Sequence, residues 1–130
     1  MAGVDPRYLD HLRNPRNRGT LSPCDGAGKS TGPCPDVIEI TVRIREDAVS
    51  EIAFETTGCE AAIACGSAVT ELARGKHLDE VAEIDAETVL SAVGGLPPDQ
   101  RHVAAAAAEA LSNAMWDFVI HTIEKATGGI

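Results

Sequence analysis

Three separated segments of this chain carry side chains able to share one ion. They are Gly32-Pro33-Cys34-Pro35-Asp36, Thr57-Gly58-Cys59 and Leu96-Pro97-Pro98-Asp99-Gln100-Arg101-His102. Cys34 and Asp36 stand two apart before an extended segment, so in extended backbone their side chains point the same way. Cys59 follows Gly58 where the pattern turns helical, and the N–H groups and dipole of a helix start favour the thiolate form. His102 follows a rigid double proline in the first turn of another helix. Two thiolates, a carboxylate and an imidazole form a tetrahedral donor set for zinc or iron. The spacing alone also fits the plainer reading, in which the cysteines are small buried residues and the histidine is incidental. The residue after His102 is Val103, which offers no donor.

The remaining candidates contribute less. Cys65 is six residues beyond Cys59, about 120° around the helix and about 9 Å along it, and reads as a core residue. Cys24 lies in a Gly- and Ser-rich loop that could fold back toward Cys34. His11, His77 and His121 are isolated and expected at the surface or half-buried. Trp116 and Phe118 are expected in the core. No pair of carboxylates suggests acid–base catalysis.

The elements that must position these residues follow from periodicity. Asp5-Pro6 caps a short helix ended by Pro15. From Gly19 to Pro33 the chain reads as loop with one weak edge strand. Ile38, Ile40, Val42 and Ile44 alternate with polar residues, and Ile52, Phe54 and Thr56 do so after a Glu46-Asp47 turn, predicting an antiparallel hairpin. Cys59 to Arg74 reads as a helix stopped by Gly75. Two short helices follow, over 78–83 and, behind the cap Asp85, 86–93. A long helix from about Asp99 to Ala126 opens on Ala104 to Ala108, small residues with high helix propensity. Strands first and helices after predict an α+β fold, a sheet of two to three antiparallel strands packed against helices, in one domain over 1–130.

Composition narrows the function. Hydrophobic residues are 44% and charged residues 24%, while aromatics are only 3%, so Ala, Val, Ile and Leu must build the core. A net charge of -9 opposes a nucleic-acid partner, which needs a basic face. The start of the chain does not read as an export signal, and no apolar run reaches membrane-spanning length, so a cytoplasmic protein without membrane attachment is expected. Four cysteines in that compartment favour metal, redox or packing roles over disulfides.

From about Tyr8 to Phe118 the chain resembles the NifU/IscU family of iron–sulfur cluster assembly scaffolds. The resemblance rests on Asn14-Pro15-Arg16-Asn17-Arg18-Gly19, the Gly-Pro-Cys-Pro-Asp segment, and Thr57-Gly58-Cys59-Glu60-Ala61-Ala62-Ile63-Ala64. It continues through Thr70-Glu71-Leu72-Ala73-Arg74-Gly75-Lys76 and Gly95-Leu96-Pro97-Pro98 with His102. The longer insertion of the SufU branch is absent. The resemblance implies no enzyme, but a scaffold that takes sulfur from a cysteine desulfurase and iron from elsewhere, builds a [2Fe–2S] cluster and passes it to recipient proteins. It implies a SufE/NifU-like α+β fold and a cluster site at Cys34, Asp36, Cys59 and His102, with Cys59 as the persulfide acceptor if sulfur is accepted. Homo-oligomers are compatible with it. The match departs at three places. Val103 replaces the third cluster cysteine. Pro35 stands where glycine is usual. Leu96-Pro97-Pro98-Asp99-Gln100 replaces the Leu-Pro-Pro-Val-Lys read by a dedicated chaperone, which speaks against that partner. The first departure keeps a second reading open, a degenerate member with structural zinc that binds or regulates a partner.

Overall fold

The computed structural model describes residues 5–30 and 37–126. Cys34, Pro35 and Asp36 lie outside the described residues. The element order is α1 (Pro6–Arg13), β1 (Gly26–Lys29), β2 (Ile38–Arg45), β3 (Ala48–Thr56), α2 (Glu60–Ala73), α3 (Leu78–Val81), α4 (Ala86–Ala92), a 3-10 turn (Pro98–Gln100) and α5 (Arg101–Ala126). The expected α+β architecture is present, and the weak edge strand is real: β1 pairs with β2 and β2 with β3, all antiparallel.

The caps act as their residue types dictate. Asp5 accepts from the Arg7 N–H with Pro6 at the first helical position, and Asp85 accepts from the Thr88 N–H. Glu46 and Asp47 both take positive φ, 54° and 60°, as the two-residue turn between β2 and β3 requires. Gly75, at φ 80°, ends the α2 region in the left-handed conformation that only glycine adopts without cost.

Helices cover one face of the sheet. Ile38, Ile40, Val42, Ile52 and Phe54 point into a core completed by Val69 of α2, Val89 of α4 and Leu111 of α5, all at most 3% exposed. The alanine-rich helices approach closely because their buried positions are small, as at Ala62, Ala68, Ala107 and Ala110. The free edge of β3 is not left open. Residues 17–19 exchange hydrogen bonds with Phe54, and residues 75–77 lie against Val49, which blunts the edge against further strand pairing.

The helix–sheet contact is tightest where β1 meets α5. A Cβ at Gly28 would land on the backbone of Ala110, Asn113 and Ala114, and one at Gly26 on Ala114 and Phe118. Gly28→Ala is therefore expected to destabilise the fold by about 3 kcal/mol, because two backbones must separate to admit the methyl group. Urea denaturation followed by far-UV circular dichroism checks this, and a loss below about 0.5 kcal/mol would contradict the close approach.

Three expectations need correction. His11 is buried at 5% exposure, because α1 packs on α2 and brings it against Ser67. Trp116 is 63% exposed, because α5 outruns the sheet and the helices that cover its first half. The segment Pro98–Ala126 is, by length and composition, long and apolar enough to cross a membrane, contrary to the reading from the bare sequence. In this fold 44% of its most apolar window is packed inside, as in an ordinary core helix.

Candidate functional site

One end of the sheet gathers the ends of five elements. Lys29, the last residue of β1, pairs with Glu39 near the start of β2, and Ile38 pairs with Thr56 at the end of β3. The Thr56 hydroxyl donates to the Val37 carbonyl at 2.8 Å and accepts from the Gly58 N–H at 3.0 Å. That hydroxyl thus joins the residue following Asp36 to the turn leading into Cys59. α2 begins immediately afterwards, with Cys59 as its N-cap at φ -72° and ψ 177°.

α5 arrives at the same end. Gly26 faces Ala114 and Phe118, while Gly28 faces Ala110 to Ala114, so α5 runs antiparallel to β1. The Asn113 amide donates to the Lys29 carbonyl at 2.8 Å, which holds that register. From Ala110 back to His102 the helix extends about 12 Å, past the end of β1. The first turn of α5 and the N-terminus of α2 therefore share this end of the fold.

Cys59 and His102 are both exposed there. Cys59 makes no side-chain capping hydrogen bond, and its carbonyl accepts from the N–H groups of Ala62 and Ile63. Val103, the next residue, is 1% exposed within the core cluster. The position beside the histidine is thus an apolar packing position here. Among the described residues no three metal-ligating side chains cluster, so the described part of the site supplies Cys59 and His102 without a complete ligand set.

The other cysteines lie elsewhere. Cys65 is fully buried, and desolvation first, then the charge of Cys59, pushes its thiol up to about 12. It is a neutral core group, as its position around the helix predicted. Cys24 is exposed at the opposite end of the sheet, in a cleft of about 490 Å³ with Phe118, His121 and Lys125. The Asp25 N–H donates to the Val42 carbonyl, and the Ile44 N–H donates to the Asp25 carboxylate, which holds the Cys24 segment there. Since His121 is about 28 Å along α5 from His102, Cys24 cannot stand in for the missing thiolate.

Two features were not legible as part of the site. Tyr8 of α1 sits near the start of α2, where desolvation first, then the charges of Glu60 and Cys59, raise its phenol above the ordinary value and keep it neutral. His11 anchors α1: its Nδ1 is 2.8 Å from the Ser67 hydroxyl, and its Nε2 is 3.6 Å from the Glu71 carboxylate. Ser67 also accepts from the Arg16 N–H, tying the Asn-Pro-Arg segment to α2. Neither contact has a local sequence signal, because both depend on how α1 docks on α2.

Burial is the largest cause that lowers the His11 pKa; Arg16 lowers it further, while Glu71 and Asp10 raise it. The unfolded chain therefore holds this proton at higher pH than the folded one. The stability contributed by neutral His11 is full above about pH 6.5 and is lost as pH falls below it. Denaturation midpoints measured from pH 7.5 to 5 should decline more steeply in the parent than in His11→Gln. Equal slopes would contradict a titrating buried imidazole.

Comparison with known proteins extends these observations. Residues 5–125 match the NifU-like N terminal domain family. The chain is 39% identical over 113 residues to iron-sulfur cluster assembly scaffold protein IscU 1 of Archaeoglobus fulgidus, covering 86% of this chain and 74% of that protein. It is 32% identical over 117 residues to the IscU scaffold protein of Aquifex aeolicus, covering 88% of this chain and 74% of that protein. The crystal structure of the N-terminal part of a nitrogen-fixing NifU-like protein from Brucella abortus superposes with a TM-score of 0.70. At 17% identity it covers 89% of this chain and 94% of that one, and it supports the fold alone.

Proposed function

Because this chain belongs to the NifU-like N terminal domain family and is an iron–sulfur cluster assembly scaffold of the IscU/NifU type, we propose that it holds its cargo on Cys34, Asp36, Cys59 and His102. The cargo is a [2Fe–2S] cluster or iron, and one domain over 1–130 carries it. The observation that supports this reading is the shared end of the sheet. Cys59 and His102 are exposed there, and Val37, the residue after Asp36, is hydrogen-bonded to Thr56 three residues before Cys59. Thiolate, imidazole and carboxylate donors can all ligate iron.

The protein's part is to present and release the cargo; it is not an enzyme. Sulfur arrives by exchange with a cysteine desulfurase. The Cys59 thiolate attacks the outer sulfur of the desulfurase persulfide, the old S–S bond breaks, and the desulfurase thiolate leaves, so sulfur moves without net oxidation. With a valine as the neighbour of His102, oxygen or nitrogen donors must replace the third thiolate. Weaker ligation suits transfer to recipient apoproteins. Exposed Asp99 and half-buried Gln100 leave the dedicated Leu-Pro-Pro-Val-Lys-reading chaperone without its motif. The protein acts in the cytoplasm, with neither nucleic acid nor membrane as partner.

Anaerobic reconstitution with iron and sulfide tests the reading. Visible absorption and matching iron and sulfide content are expected, and uptake of neither would overturn it. The burial of Val103 favours one second reading, a member whose site holds structural zinc and serves partner binding or regulation. Stoichiometric zinc that iron and sulfide cannot displace would establish that alternative. Val103→Cys should lengthen the cluster lifetime, read as slower bleaching in air. An unchanged lifetime would mean that position 103 does not reach the cargo.

A further inference from the structure

The face of α5 farthest from the candidate site is built unlike the rest of the surface. Trp116, Val119, Ile120 and Ile123 recur at helical spacing and are 63%, 36%, 50% and 57% exposed. Contiguous exposed apolar side chains of this size mark a contact surface rather than ordinary surface scatter. They border a groove of about 410 Å³, walled by Leu78, Val81 and Ile84 on one side and Met115, Trp116 and Val119 on the other. From Ser112 to Ile123 the stripe runs about 16 Å, the length of a helix of about eleven residues.

Charge selects the occupant. Interleaved in sequence with the groove residues Leu78, Val81 and Ile84 are Asp79, Glu80 and Glu83, all exposed, and the Asp79 side chain is 94% accessible. No lysine or arginine lines the groove. The basic residues nearest in sequence are Lys76, which precedes α3, and Lys125, which lines the Cys24 cleft instead. The whole chain carries -9, so a second copy or an anionic membrane would meet like charge. An apolar slot between two helices, one of them carrying exposed carboxylates between its groove residues, matches an amphipathic helix with lysine or arginine beside its apolar face.

We propose that the groove between α3 and the C-terminal half of α5 docks a basic amphipathic helix of a partner protein. Trp116 is the anchor, and its large face becomes covered as the helix seats. The site lies about 21 Å along α5 from His102, so a partner bound there leaves the cargo end open.

Trp116 is the only tryptophan of the chain, which makes its emission a direct reporter. The probe is a fourteen-residue helical peptide without tryptophan, with leucines at i, i+3, i+4 and i+7 and lysines flanking them. The control carries glutamates in place of the lysines. The lysine peptide should shift Trp116 emission to the blue saturably, with affinity at least about tenfold above that of the control and falling as salt rises. Glu83→Lys and Ile120→Asp, both surface changes checked for folding by circular dichroism, should each weaken binding about tenfold. No shift with the lysine peptide, or equal shifts with both peptides, would overturn the proposal. So would a blue shift that grows with protein concentration alone and tracks a dimer in sedimentation, or one produced equally by phosphatidylcholine vesicles.

Discussion

Cys59→Ser is expected to fold as well as the parent and to lose its iron and sulfide uptake. The side chain is exposed and caps α2 without a capping hydrogen bond, so its removal leaves no cavity. Serine is a preferred N-cap, so the variant should gain up to about 1 kcal/mol in stability while losing its metal. Few substitutions separate folding from ligation so cleanly. Anaerobic reconstitution should leave the variant colourless, with unchanged far-UV circular dichroism and a denaturation midpoint no lower than the parent's. Cys65→Ser and Cys24→Ser are the controls. The first should lower stability but leave the metal content of the folded fraction unchanged, and the second should change neither. Retention of a full cluster by Cys59→Ser would remove Cys59 from the site.

Phe54→Ala should carry the largest cost in stability, about 3–5 kcal/mol. Phe54 in β3 is the largest fully buried side chain among the described residues. Its backbone also holds the Asn17–Gly19 segment through two hydrogen bonds. Against a typical total of about 5–15 kcal/mol, such a loss leaves the domain near its threshold. Gly66 sharpens the test, because a Cβ there would strike the Phe54 ring. Gly66→Ala alone should therefore destabilise the fold, yet cost much less, or even help, in the Phe54→Ala background where the ring is gone. A double-mutant cycle by urea denaturation reads this coupling. It should be followed by circular dichroism, because exposed Trp116 reports unfolding poorly. Additive costs would contradict the contact.

The strands and helices were legible because their signals are local. Alternation marked β2 and β3, while Asp5, Asp85 and Gly75 marked helix ends through bonds within a few residues. The 3-10 turn before α5 was not separated from the helix, since its hydrogen bonds differ by only one residue in span. β1 was faint because its buried positions are glycines, Gly26 and Gly28, which read as loop until a helix backbone is laid over them.

The candidate site divides in the same way. Donor types, the helix-start position of Cys59 and the valine beside His102 were evident from residue identity, since chemistry belongs to side chains. The place of Cys65 followed from helical geometry alone. Cys24 could not be placed from its loop; only the hydrogen bonds of Asp25 with β2 hold it at the far end. His11 and Trp116 were misplaced for one reason. Burial depends on which elements happen to cover a residue, and that is a long-range property. By itself, then, the sequence determined the elements, the candidate donors and the kinship with cluster scaffolds. Tertiary packing alone decided that α5 runs antiparallel to β1, bringing His102 to the end of the sheet where Cys59 stands. It also turned Val103 inward and left the apolar half of α5 uncovered, because these outcomes depend on contacts between residues far apart in the chain.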